Sequence, residues 1–270
     1  MTGPGRADEY RRMARLRCDV VADSLGLATS VTVLLPQPSR TRIGGGVRDL
    51  DTPPPVLYLL HGLSDDDTAW TRYTSVERYA DELGLAVVMP QVHRSFYTDQ
   101  AYGGRYRTWV TEELPALVAR FFRVSADPAE TFVAGLSMGG YGALSWALSE
   151  PDRFAAAASL SGALDLAALA AGPPREEDPR IWERIFDGAP VAGSDADLFA
   201  LLDRLDPGAA PALYVCAGTE DPLHPQSVRF AERARAAGVA VTSSFGPGEH
   251  EWGYWEARIR DVLDWLPLPR

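Results

Sequence analysis

The chain is poor in sulfur and imidazole, with two cysteines, four methionines and four histidines in 270 residues. Cys18 and Cys216 stand far apart, each in an apolar, strand-like stretch. They read as two buried, reduced thiols rather than as a disulfide frame. Long apolar runs are also missing, and no segment reaches the roughly 18 consecutive apolar residues of a membrane-spanning helix. The opening stretch, MTGPGRADEYRRMARLRCDVV, contains arginines but neither the apolar core nor the small-residue cleavage site of a secretory signal, so a cytoplasmic location is expected. Positive charge is outweighed, with 26 basic residues against 37 acidic ones and a formal net charge of -11. An acidic surface repels nucleic acid and anionic membranes, and neither is an expected partner. Internal repeats and low-complexity tracts are absent as well.

What is present is a globular composition, 46% hydrophobic and 23% charged. A chain of this length can close one large core, so residues 1–270 are expected to form a single domain. Two β-rich bursts over about 17–35 predict an N-terminal hairpin. A Gly-, Pro- and Arg-rich connector follows at 36–55. From there strand and helix alternate. VLYLL (56–60) is a continuous apolar run, as expected for a strand covered on both faces. SVERYADEL (75–83) is amphipathic and stops at Gly84, and LAVVMP (85–90) is the next strand. Residues 91–107 read as a loop and 108–122 as a helix with Pro115 in its early turns. TFVAG (131–135), FAAAASLSG (154–162), ALYVCAG (212–218) and VAVTSSF (239–245) read as strands. Helices are expected over 138–150, 225–237 and 252–266. The alternation predicts an α/β fold, with a mostly parallel central sheet and helices on both faces. Residues 163–208 interrupt the rhythm with helical composition, a GPPREEDP patch, Trp182 and Phe186. They read as a small helical cap insertion above the sheet.

Ligands of such sheets bind beyond the carboxyl ends of the strands, where the candidate chemistry collects. GLSMG (135–139) matches G-x-S-x-G, with a strand leading in and a helix leading out. That turn strains the serine backbone and leaves no room for side chains at 135 and 139. It projects the Ser137 hydroxyl at a helix N-terminus, where developing negative charge is favoured. Ser137 is the candidate nucleophile.

A serine hydroxyl needs a base. In strand–turn–helix sites of this kind the acid and then the histidine follow the nucleophile in the chain, which sets aside His61 and His93. His250, in GPGEHEW between the last strand and the last helix, is the favoured base, with His224 as the alternative. ALYVCAG runs into Thr219-Glu220-Asp221, and Asp221 is favoured over Glu220 as the acid that orients the imidazole. Acyl transfer also needs two N–H donors for the oxyanion. The candidates are the amide of Met138, directly after the nucleophile, and that of Leu63, after Gly62 in the loop leaving VLYLL. Gly62 lets the backbone approach the substrate. Trp182, with Trp70, Tyr97, Tyr102 and Trp109, is a candidate pocket-lining aromatic against the simpler reading of core packing.

VLYLLHGLSDDDTAW, GLSMGGYGALSWAL, AGTEDPL and GEHEWGYW together resemble the esterase D branch of the α/β-hydrolases, tributyrin and acetyl esterases above all. The resemblance spans most of 55–266. It implies the α/β-hydrolase fold and hydrolysis of short-chain acyl esters of small molecules through a serine acyl-enzyme, without metal or organic cofactor. The implied triad is Ser137, Asp221 and His250, with Leu63 and Met138 as oxyanion donors. S-formylglutathione hydrolases are related, so a thioesterase is the alternative activity, and a non-catalytic binding module with this fold is the remote one. Homo-oligomers are common in the branch, which leaves self-association open.

Overall fold

The computed structural model describes residues 13–37, 52–174 and 176–268. Most of the 36–55 connector therefore lies outside the described residues. Eight strands form one sheet: β1 Met13–Ala22, β2 Leu27–Pro36, β3 Val56–Leu60, β4 Ala86–Pro90, β5 Thr131–Leu136, β6 Ala156–Leu160, β7 Ala212–Gly218 and β8 Val241–Gly246. Their spatial order is β1-β2-β4-β3-β5-β6-β7-β8. β1 and β2 pair antiparallel, as do β2 and β4, and every pair from β4 to β8 is parallel.

The strand–helix alternation read from the sequence builds this sheet because successive strand residues point to opposite faces. Val56, Tyr58 and Leu60 enter one apolar layer, and Leu57 and Leu59 enter the other. The helices are α1 Ala69–Tyr73, α2 Val76–Leu83, α3 Tyr106–Thr108, α4 Leu114–Phe121, α5 Met138–Ser149, α6 Leu166–Ala171, α7 Ile181–Phe186, α8 Leu198–Arg204, α9 His224–Ala236 and α10 Trp252–Trp265. α1, α2 and α10 cover one face through Trp70, Tyr79 and Ile259. α4, α5, α8 and α9 cover the other through Val118, Leu144, Leu202 and Phe230. α6, α7 and α8 lie within 163–208. No helix among the described residues is long and apolar enough to cross a membrane.

Three local features correct or extend the sequence reading. The helix expected over 108–122 begins at Tyr106 and contains a π-helical turn, Trp109–Glu113, closed by a bond from the Leu114 amide to the Trp109 carbonyl. Pro115 has no N–H to donate, and its ring crowds the Thr111 carbonyl, so the turn before it widens. The 91–107 segment is a loop as expected as far as Arg105, but part of it is buried. Phe96 and Tyr97 are buried with φ of 51° and 54°, and the Tyr97 hydroxyl donates to the His61 carbonyl at 2.9 Å. Both cysteines are free, but only Cys216 is buried, its thiol pushed up to about 12 by desolvation. Cys18 is half-buried because β1 is the outermost strand of the sheet.

The chain runs from β3 outward to β4 and returns on the other side of β3 as β5. That reversal opens a crevice at the carboxyl ends of β3 and β5, where neighbouring connections leave in opposite directions. The loop after β3 carries Gly62 and Leu63, and the turn after β5 carries Ser137.

Candidate active site

Ser137 occupies the one-residue turn between β5 and α5 with φ 54° and ψ -117°, a region β-carbon sterics disfavour. Its backbone is held on both sides: the Ser137 amide donates to Leu160 at 2.9 Å, and its carbonyl accepts from Ala163 at 3.1 Å. The glycines around it are there for space. A Cβ on Gly135 would stand 2.3 Å from the Gly139 carbonyl oxygen, and one on Gly139 would stand 2.4 Å from that of Leu60. Strand β5, helix α5 and the end of β3 therefore meet backbone to backbone.

His250 reaches Ser137 from a loop 113 residues further on, with Nε2 at 3.0 Å from Oγ. Its Nδ1 lies 2.8 Å from Asp221 Oδ2. Burial raises the Asp221 carboxyl, but the bonds from the His250 ring and the Leu223 amide outweigh that and hold it below its ordinary value. An ionised carboxylate only accepts, so the imidazole proton sits on Nδ1 and the Nε2 lone pair faces the serine. The ring also stands edge-on to Trp255, 4.9 Å between centroids.

The alternatives separate by direction. Glu220 turns away from His250, and its carboxylate accepts from the Gly248 amide at 2.6 Å. His224 opens α9 and packs against Phe245, not against Ser137.

A cavity of about 230 Å³ lies over the serine, lined by Leu63, Phe96, Ser137, Met138, Ala163, Leu169, Pro222, Leu223 and His250. Both candidate oxyanion donors border it. Met138 is the first residue of α5, and an amide in that position has no acceptor within its own helix. Gly62 stands close behind: a Cβ there would meet Leu136 Cδ1 at 2.7 Å and Ser137 Cβ at 3.8 Å. Trp182 stands one ring back, against Phe96 with centroids 4.9 Å apart, and Phe96 is what lines the cavity. Trp70 and Trp109 are core, Tyr97 is buried under the β3 loop, and Tyr102 is exposed. Phe96, Leu169 and Leu223 are lining residues that sequence reasoning missed. Their only signal was being apolar in segments otherwise read as loop or cap. No cluster of three or more His, Cys, Asp or Glu side chains among the described residues could hold a metal ion.

The arrangement of a candidate nucleophile, base and acid beside two candidate amide donors suits acyl transfer, and the comparisons with known proteins give an esterase family. The profile of the family described as "Putative esterase" matches residues 22–266. A substrate-bound structure of the fluorophosphonate-binding serine hydrolase FphF of Staphylococcus aureus superposes with a TM-score of 0.83 at 32% identity, covering 94% of this chain and 98% of that one. The S-formylglutathione hydrolase FrmB of the same organism gives 0.81 at 32% identity, over 94% and 99%. An acetyl esterase of Caldicellulosiruptor saccharolyticus is 28% identical over 218 residues, 78% of this chain and 82% of that protein.

Proposed function

The chain belongs to this esterase family and is a serine carboxylic ester hydrolase, and from that premise we propose that it cleaves short-chain acyl esters with Ser137 as nucleophile, His250 as base and Asp221 as the acid that orients it. The observation that carries this reading is the continuous relay from Asp221 Oδ2 through the His250 ring to Ser137 Oγ, at 2.8 and 3.0 Å. The 3.0 Å step to Ser137 is a hydrogen bond ready to pass a proton, and the 2.8 Å step to Asp221 holds the ring without giving its proton up.

As Ser137 Oγ attacks the ester carbonyl carbon, its proton passes to His250 Nε2, and the Asp221 carboxylate stabilises the imidazolium. The carbonyl oxygen becomes an oxyanion and is received by the Leu63 and Met138 amides. Collapse breaks the bond to the alcohol oxygen, which takes the proton from Nε2 and leaves. Water then attacks the acyl-serine, gives a proton to Nε2, and the second collapse returns that proton to Ser137 and frees the carboxylic acid.

The size and lining of the cavity support a small acyl group. About 230 Å³ walled by Leu63, Phe96, Ala163, Leu169 and Leu223 suits an acetyl to butyryl chain and offers no charged partner to a polar one. A second reading, thioester hydrolysis of S-formylglutathione, is favoured by the similarity to the staphylococcal S-formylglutathione hydrolase. Turnover of p-nitrophenyl acetate and butyrate beside S-formylglutathione separates the two. The ester reading expects kcat/KM for the esters to equal or exceed that for the thioester, and a thioester preference of about a hundredfold or more, roughly 2.7 kcal/mol in transition-state binding, overturns it. A fluorophosphonate probe is expected to label Ser137, and intact protein that is not labelled would return the fold to a non-catalytic role.

A further inference from the structure

His61 takes no part in the relay, yet its ring is fully buried and hydrogen-bonded at both nitrogens. The Val92 amide stands 3.1 Å from Nε2, and an amide can only donate, so Nε2 carries the lone pair. The proton is therefore on Nδ1, 2.7 Å from the Gly62 carbonyl oxygen, to which it donates. Burial favours this neutral ring and pushes its pKa down, against the Gly62 carbonyl, the Gln91 side chain and the Asp66 and Asp67 carboxylates, which act the other way.

The same carbonyl accepts a second bond, from the Asp65 amide at 3.2 Å. The peptide joining Gly62 to Leu63 is trans, so its C=O and its N–H point in opposite directions. Two donors on the Gly62 oxygen thus set where the Leu63 N–H points, with Leu63 itself on the wall of the Ser137 cavity. The Tyr97 hydroxyl on the His61 carbonyl fixes the preceding peptide as well.

We propose that His61 is a positioning residue of the oxyanion hole, whose Nδ1–H pins the Gly62 carbonyl and so aims the Leu63 amide at the carbonyl oxygen of the substrate. This rests on the ester-cleavage reading above. The ring acts through the peptide it holds and touches no reacting atom. Because the Leu63 bond is strongest to the developing oxyanion, the contribution belongs to kcat rather than to substrate binding.

Two amide substitutions divide the ring's functions. In H61N the side-chain nitrogen reaches the Nδ1 position and can still donate to Gly62. In H61Q the side-chain oxygen reaches the Nε2 position and can still accept from Val92, but the bond to Gly62 is lost. With p-nitrophenyl acetate, H61Q is expected to lose roughly 100-fold in kcat at a KM changed less than about threefold, and H61N to stay within about tenfold of wild type. A Gln variant as active as wild type, Gln rescuing as well as or better than Asn, or a loss confined to KM overturns the inference and leaves His61 as a packing residue. Wild-type protein that cleaves no ester overturns the proposed function instead. Should either variant fail to fold, the 15N spectrum of the wild-type buried imidazole decides: protonated Nδ1 with bare Nε2 is expected, and the reverse tautomer overturns the proposal.

Discussion

Glu220 and Gly248 hold each other across two loops: the Glu220 amide donates to the Gly248 carbonyl at 3.1 Å, and the Gly248 amide donates back to the Glu220 carboxylate at 2.6 Å. This reciprocal pair ties the loop after β7 to the loop that carries His250. Its neighbour Asp221 faces the other way, into the relay. Two adjacent carboxylates thus serve two different purposes.

That division is testable. Asp221→Asn is expected to lower kcat about 10⁴-fold while the protein stays folded, because an amide in that place favours the wrong imidazole tautomer. Glu220→Gln keeps an acceptor oxygen for Gly248 and is expected to cost less than about tenfold. Steady-state rates of the two purified variants make the comparison, and a larger loss in Glu220→Gln would exchange their assignments.

Gly139→Ala places a methyl 2.4 Å from the Leu60 carbonyl oxygen and 2.7 Å from that of His61. Neither backbone atom can swing aside as a side chain could. The expected cost is about 1–3 kcal/mol of stability, visible in calorimetry as about 2–4 °C per kcal/mol. Activity should fall with it, since the displaced backbone is the one leading to Leu63. An unchanged melting temperature would contradict the tight crossing of β3 and α5.

His61 makes stability depend on pH. Its pKa is lowered in the folded chain by burial, so the unfolded chain binds the extra proton first as pH falls. Stability is then full above the unfolded value of about 6.5 and is lost progressively as pH drops below it toward the folded value. Asp221 works lower down: its depressed carboxyl contributes fully above about 4 and loses that contribution only in stronger acid. Denaturant midpoints measured from pH 8 to pH 4 should decline from about 6.5 downward in wild type, with a smaller decline in H61N. A flat wild-type curve across that window contradicts a buried neutral His61.

Leu169→Ala removes a side chain from the cavity wall and leaves the relay untouched. The enlarged space is expected to move preference from acetate toward butyrate and longer chains by about 3- to 20-fold in the kcat/KM ratio, in line with one or two methylenes of apolar contact. Competition between acetyl and hexanoyl esters reads this out, and an unaltered ratio would place the acyl chain elsewhere.

Much of this site is legible in the one-dimensional chain because its signals are local. The turn at Ser137 needs a strand before it, a helix after it and glycines at 135 and 139, all within a few residues. Pro115 announces a disturbed helix turn but not that the turn becomes π-helical, since only packing decides how the freed carbonyls are met. Trp182 has the look of a pocket residue and lines a neighbouring cavity, while Phe96 beside it takes the place on the wall over Ser137.

By itself, then, the sequence determined the alternation of strands and helices, the strained serine turn and the chain order of the candidate acid and base, because apolar period, glycine spacing and turn chemistry act between near neighbours. Tertiary structure alone decided which of Glu220 and Asp221 faces His250, which of two cysteines is covered, and which groups hold the His61 ring. Those depend on partners far along the chain: Gly248 is 28 residues from Glu220, and Val92 is 31 from His61. A side chain's direction is set by the hydrogen bonds that close around it, and no local pattern carries them.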